Sequence, residues 1–288
     1  MLKSLMIATD LSSRSEKALQ RAGALAKRFG CPWTVLCVVD EDQPVALVEQ
    51  EATQVRLLLE ARLVELTALG GGCPRIRVEV GDPNQKIVSC ALEEDVDLLV
   101  MGSHRKSVLR DIFVGTTVER VVRAGKLPVL MVNQPAVGEY RDLLLALDTS
   151  PASANAVRVA ERLGLLQGAV RRAIYAFSPL AKGMMQYSGV SEERIDEFVG
   201  TETRQAVDEF KAFLRDQQLE PWIDEQLVAV GLPGNVLERM SEKHRPDLLV
   251  MGTRGMGGIK RALIGSVADY ALRELDCDIL VVPPETGV

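Results

Sequence analysis

Short apolar runs alternate with longer amphipathic stretches from one end of the chain to the other. "TVLCVVD", "RIRVEVG", "DLLVMG" and "LPVLMV" are rich in Val, Leu and Ile and too short for helices, whereas Ala18, Ala22, Leu25, Ala26 and Phe29 recur at helical spacing. Runs that are apolar at nearly every position suit strands buried on both faces, as in parallel sheets. Five such runs in each half, separated by helical patterns, predict two tandem doubly wound α/β (Rossmann-like) domains. Each would have a five-stranded sheet and about 140 residues, enough to build its own core.

The chain also repeats itself. "DLLVMGS" at 97–103 returns as "DLLVMGT" at 247–253, a shift of 150, and the same shift relates Gly81 to Gly231, Gly115-Thr116 to Gly265-Ser266, and "LPVLMV" at 127–132 to "CDILVV" at 277–282. The first strands, "SLMIATD" and "LLLALD", align Asp10 with Asp148 at a shift of 138, so the second half carries about twelve extra residues before Gly231. The pattern breaks at "NQPAVGEY", which sets the expected domains at 1–137 and 138–288. So short a connection predicts that the two domains pack together.

Composition narrows the partners. Across 288 residues, 47% hydrophobic and 26% charged is an ordinary globular balance, and 34 Lys and Arg against 40 Asp and Glu give a net charge of −6. A mildly acidic chain without a basic stripe argues against nucleic acid, whose binding rests on neutralising phosphates. No apolar run approaches a membrane-spanning length, and the opening "MLKSLMIATDLSSRSEKALQ" lacks the central region of a signal peptide. A cytoplasmic location follows as the expectation. Five cysteines with no Cys-x-x-Cys pair read as reduced thiols, and two isolated histidines, His104 and His244, read as surface residues.

One stretch stands apart. "MGTRGMGGIKRALIGSVA", residues 251–268, holds five glycines between a strand pattern and a helix pattern, although each glycine in regular structure costs roughly 0.5–1 kcal/mol relative to alanine. In open α/β sheets ligands lie beyond the carboxyl ends of the strands, and a helix N-terminus with free N–H groups favours anions. Gly252, Gly255, Gly265 and Ser266 therefore read as a backbone cradle for phosphates, with Arg254, Lys260 and Arg261 as local donors. It is neither a Walker loop nor a dinucleotide fingerprint.

The spacing Gly252-x2-Gly255-x9-Gly265-Ser266 resembles the ATP-binding signature of the universal stress protein family, in the variant with two domains fused in tandem. The resemblance spans nearly the whole chain twice: an aspartate closing the first strand, a Gly-x-Pro turn (Gly81-Asp82-Pro83, Gly231-Leu232-Pro233), and the Met-Gly-Ser/Thr strand end. It implies the sheet order 3-2-1-4-5 and pairing of the fifth strands across a two-fold axis, here inside one chain as a pseudo-dimer. A further chain-to-chain dimer stays open. It also implies a cytoplasmic stress-response protein binding ATP, ADP or AMP, with magnesium expected. The implied site is Met251, Gly252, Arg254, Gly255, Gly265, Ser266 and Val267, with Asp148 facing the ribose or a metal-bound phosphate and the strand backbone at Ala176 meeting adenine. For Asp148, a role as N-cap of the following helix competes, with Ser150 a rival for that cap.

The first half departs from the motif. Arg105 stands where Gly255 stands in the second, which predicts a degenerate first nucleotide site on the ground that a side chain there would crowd the phosphates and penalise a left-handed dihedral. The competing reading makes Arg105 a phosphate ligand. No residue presents itself as a catalytic base or nucleophile, so a regulatory binder with little turnover is expected, with a weak ATPase or nucleotidyl transferase as the alternative. The added segment 178–200 reads as a loop entering a helix, or as a lid or interface patch.

Overall fold

The computed structural model describes residues 1–42, 44–103, 116–179, 181–255 and 264–285. The first half runs β1 (Leu5–Ala8), α1 (Ser13–Phe29), β2 (Trp33–Val39), α2 (Val45–Ala61), α3 (Leu63–Gly70), β3 (Arg75–Val80), α4 (Pro83–Glu93), β4 (Leu98–Gly102), α5 (Thr117–Ala124) and β5 (Val129–Val132). The second runs β6 (Asp142–Leu147), α6 (Pro151–Arg162), β7 (Val170–Phe177), α7 (Ala181–Tyr187), α8 (Glu192–Asp216), β8 (Glu225–Val230), α9 (Pro233–His244), β9 (Leu248–Gly252), α10 (Ser266–Glu274) and β10 (Asp278–Val282). The segment 178–200 thus contributes α7 and the start of the 25-residue α8, rather than a plain loop.

The ten strands form one sheet in the order β3-β2-β1-β4-β5-β10-β9-β6-β7-β8. Each half has the 3-2-1-4-5 order with parallel neighbours, and the halves join through antiparallel β5 and β10. Leu130 sits opposite Leu280, its own counterpart in the repeat, so the approximate two-fold axis passes through this pair. Both apolar fifth strands are thereby paired, which removes the edge each half would otherwise present there and leaves β3 and β8 at the outer edges of the sheet.

Alternate residues of each inner strand feed two cores. Leu98 and Val100 of β4 enter one, Leu99 and Met101 the other, and all four are buried. Burial of such a side chain stabilises the fold by about 1.5–3 kcal/mol relative to exposure. The face with α8 also buries Phe210, whose ring stacks on Tyr175 at 5.4 Å.

Local signals set the helix starts. Ser12 caps α1 by accepting from the Ser15 N–H, and Asp82 caps α4 by accepting from the Gln85 N–H ahead of Pro83. Before α4 and α9 the chain turns at Gly81 and Gly231, with φ of 146° and 143°, a region in which a side chain would be strained.

Candidate functional site

The sheet order reverses between β6 and β9 in the second half, and a cavity of about 490 Å³ opens there beyond the strands' carboxyl ends. All nine residues predicted from sequence line it: Asp148, Ala176, Met251, Gly252, Arg254, Gly255, Gly265, Ser266 and Val267. Lys260, Arg261, Gly257 and Gly258 lie outside the described residues. The sequence reading missed Ser153 and also Ile174, Pro233, Leu237 and Ile264, which form much of the apolar wall. Pro233 belonged to a noted landmark; the inward-facing Ile174 and Leu237 had no local signal beyond strand and helix periodicity.

The glycines here serve close packing rather than unusual dihedrals. Gly252, Gly255 and Gly265 all have φ outside the left-handed region. A Cβ on Gly252 would lie 3.2 Å from the Arg254 carbonyl oxygen and 3.3 Å from that of Ala152 at the start of α6. One on Gly265 would lie 3.2 Å from the Thr253 carbonyl oxygen, which already accepts the Gly265 N–H at 2.8 Å. At Gly255 it would run into Oδ2 of Asp148. The dihedral argument from sequence is therefore corrected: what a side chain at 255 would have to displace is the Asp148 carboxylate.

Asp148 is oriented by the turn that follows it. The Ser150 N–H and hydroxyl both donate to its Oδ1, at 3.2 and 2.5 Å. Ser150, not Asp148, caps α6, accepting the Ser153 N–H at 3.2 Å. The turn between them holds Thr149 at φ 61°, and the equivalent turn of the first half holds Leu11 at φ 58°. A left-handed conformation costs a non-glycine residue about 1–3 kcal/mol and clusters at ligand clamps. No sequence signal marks these two positions, since neither is Gly, Asn or Asp.

The N-terminus of α10 opens into the same cavity. Its N-cap is Gly265, which offers no side-chain acceptor to the first-turn N–H groups. The first half has a matching cavity of about 400 Å³ lined by Asp10, Ser15, Met101, Gly102 and Thr116 among others, but there Thr116 caps α5 with its own hydroxyl, accepting the Glu119 N–H at 3.3 Å. Burial raises the Asp10 carboxyl, yet bonds from Ser12 and Ser15 outweigh it and hold the group below the ordinary aspartate value of 3.8. Arg105, His104 and Gly115 fall outside the described residues.

A doubly wound sheet repeated in tandem, with a glycine-lined cavity at the switch point, defines a class of tandem α/β proteins. The model of the universal stress protein family matches residues 1–133 and again 139–283. The chain belongs to that family. Universal stress protein MJ0531 of Methanocaldococcus jannaschii is 29% identical over 143 residues, covering 50% of this chain and 82% of its own. Universal stress protein MJ0577 of the same organism is 29% identical over 157 residues, covering 46% and 96%. In fold, the crystal structure of a universal stress protein from Archaeoglobus fulgidus superposes with a TM-score of 0.69 at 20% identity, covering 97% of this chain and 98% of that one. Among the described residues no helix is long and apolar enough to cross a membrane, and no group of three or more His, Cys, Asp or Glu side chains is placed to hold a metal ion.

Proposed function

We propose that the chain binds one adenine nucleotide, ATP or AMP, in the second half and acts in the stress response by changing its state or partners, with little turnover. The observation that carries this reading is the pairing of an uncapped α10 N-terminus with the Asp148 carboxylate across one apolar-walled cavity. First-turn N–H groups that the N-cap residue does not satisfy, at the positive end of the helix dipole, suit phosphate. Ala176 and Ile174 on β7 and Leu237 on α9 supply the apolar slot for a base, and Asp148 is the carboxylate that lines the cavity where a ribose or magnesium carried in on the phosphates would lie.

The same logic makes the first half a degenerate site, because Thr116 already satisfies a first-turn N–H of α5. The proposed boundary at 137/138 lies in the connection between β5 and β6, with the two family matches on either side. Calorimetry of nucleotide-free protein with Mg-ATP should give about one site per chain and weaker binding of GTP, whose base edge reverses the donors and acceptors that strand backbone reads. Two sites would overturn the degenerate first half. Turnover of bound ATP within minutes would replace the binder with the enzyme reading.

A further inference from the structure

Asp278, the first residue of β10, is fully buried at the junction of the two halves, and the groups that hold its carboxylate come from the first half or the connection. Its Oδ1 accepts the backbone N–H groups of Asn133 and Gln134, each at 2.9 Å. Its Oδ2 accepts the Tyr140 hydroxyl at 2.7 Å and lies 3.4 Å from Nε of Arg21 on α1. Arg21 is itself 5% exposed; it donates to the Gly138 carbonyl at 2.8 Å and its guanidinium lies over the Tyr140 ring at 4.3 Å.

The repeat shows what this cluster would meet in any other pairing. The two-fold axis through Leu130 and Leu280 means that a second half pairing with another second half would put repeat counterparts in these places. Arg21 corresponds to Val159, and Asn133 and Gln134 correspond to Pro283 and Pro284, which have no N–H. Asp278 would then keep neither its cation nor its two backbone donors. A first half pairing with another first half would set the buried Arg21 against Pro128, the counterpart of Asp278. Burying a charge without its partner is strongly unfavourable, so both like-with-like pairings are penalised, while the mixed one sets Arg21 against Asp278 and gives the carboxylate its donors.

We propose that this one-sided cluster decides which partner each fifth strand accepts: β10 takes the β5 of a first half, and like halves of two copies are kept from pairing. The surface therefore fits a first half of this chain, normally its own. Symmetric association through fifth strands, open to a single-domain relative with two identical edges, is closed to this chain.

The test uses the full chain. Arg21→Val with Asp278→Pro gives each half the residue its counterpart carries at these two positions and removes the two buried charges that set the surfaces apart. Wild type and variant are unfolded in denaturant, refolded at several concentrations, and weighed by light scattering after gel filtration. The variant should show chain-to-chain species in excess of wild type by about tenfold, growing with concentration. Both proteins also carry Leu280→Cys, which can form a disulfide with its own copy only where β10 meets β10, so the cross-link should appear in the variant and not in the parent. Equal mass distributions with no cross-link in the variant would overturn the proposal, leaving the cluster a stabilising role alone. Should that variant not fold, Asp278→Asn keeps an amide oxygen for the two N–H groups and sets its NH2 against the Tyr140 hydroxyl, which can accept from it, while removing the charge. It should raise the cross-linked fraction above wild type, and no rise would equally overturn the idea.

Discussion

Gly255→Ala isolates the contact on which the candidate site turns. The added methyl would occupy the space of Asp148 Oδ2, so the carboxylate must rotate away from the Gly255 backbone. Rotation breaks the bonds that Ser150 makes to Oδ1 through its N–H and hydroxyl. Hydrogen bonds to a charged group contribute about 1.5–3 kcal/mol each when buried, and Asp148 is only half-buried, so about 1 kcal/mol apiece is reasonable and about 2 kcal/mol for both. In a chain of this size that lowers the melting midpoint by roughly 4–8 °C, at about 2–4 °C per kcal/mol. If Asp148 also contacts the ligand, losing its position should weaken Mg-ATP by about tenfold to a hundredfold, at 1.4 kcal/mol per factor of ten.

A double-mutant cycle checks the cause as well as the size. With Asp148→Ala already in place the methyl has nothing to displace, and Gly255→Ala should then cost close to nothing in thermal stability. Distinct behaviour follows if the glycine were needed for its dihedral: the cost would persist without the Asp148 side chain, and Gly255→Asn would be tolerated better than Gly255→Ala. An equal cost of Gly255→Ala in both backgrounds would refute the carboxylate argument.

Two further outcomes are expected. Paired with Arg171, Asp224 is held at about 2 against an ordinary 3.8, the Arg171 hydrogen bonds outweighing burial, so its stabilisation is full above pH 4 and is lost as pH falls from 3.8 through about 2. Because the side chain is 40% exposed, Asp224→Asn should cost only about 0.5 kcal/mol in neutral-pH urea titrations, less in high salt and nothing below pH 2; a cost independent of pH would contradict the ion pair. Thr116→Ala, which removes the cap of α5, should cost about 1 kcal/mol in the same assay. An equal stability would show that the Glu119 N–H finds water as readily.

What the chain declared in advance was set by local rules. Strands buried on both faces read as unbroken apolar runs, turns read from Gly81 and Gly231, and α4 announced itself through Asp82-Pro83. The site's outline was legible because seven of its nine members are close in sequence, within 251–267. What stayed hidden depends on elements brought together by the fold. Nothing near Gly255 says that the Asp148 carboxylate will sit against it, and nothing near Thr149 says that a β-branched residue will be held in a left-handed turn. Asp278 did carry a signal, a charge opening a strand that is otherwise apolar. Its meaning required Arg21 and Tyr140, which no spacing rule connects to it.

The repeat preserves positions more faithfully than chemistry. Ser12 and Ser150 cap equivalent helices, Ser15 and Ser153 line equivalent cavities, and Lys17 and Asn155 each reach a backbone carbonyl just past the end of their half's last strand, at Asn133 and Pro283. Against that shared frame two differences fall where they have consequences. One is at the helix after the glycine stretch: a hydroxyl from Thr116 closes the N-terminus of α5, whereas Gly265 leaves that of α10 to an outside acceptor. The other is at the junction, where Asp278 replaces Pro128 and Arg21 replaces Val159. The frame alone would allow either half to hold the ligand and either edge to meet its like. The first difference favours the second cavity for an anion, and the second fixes which halves meet, so a nearly symmetric pair of folds acquires one preferred site and one preferred partner through the polar groups at these two places.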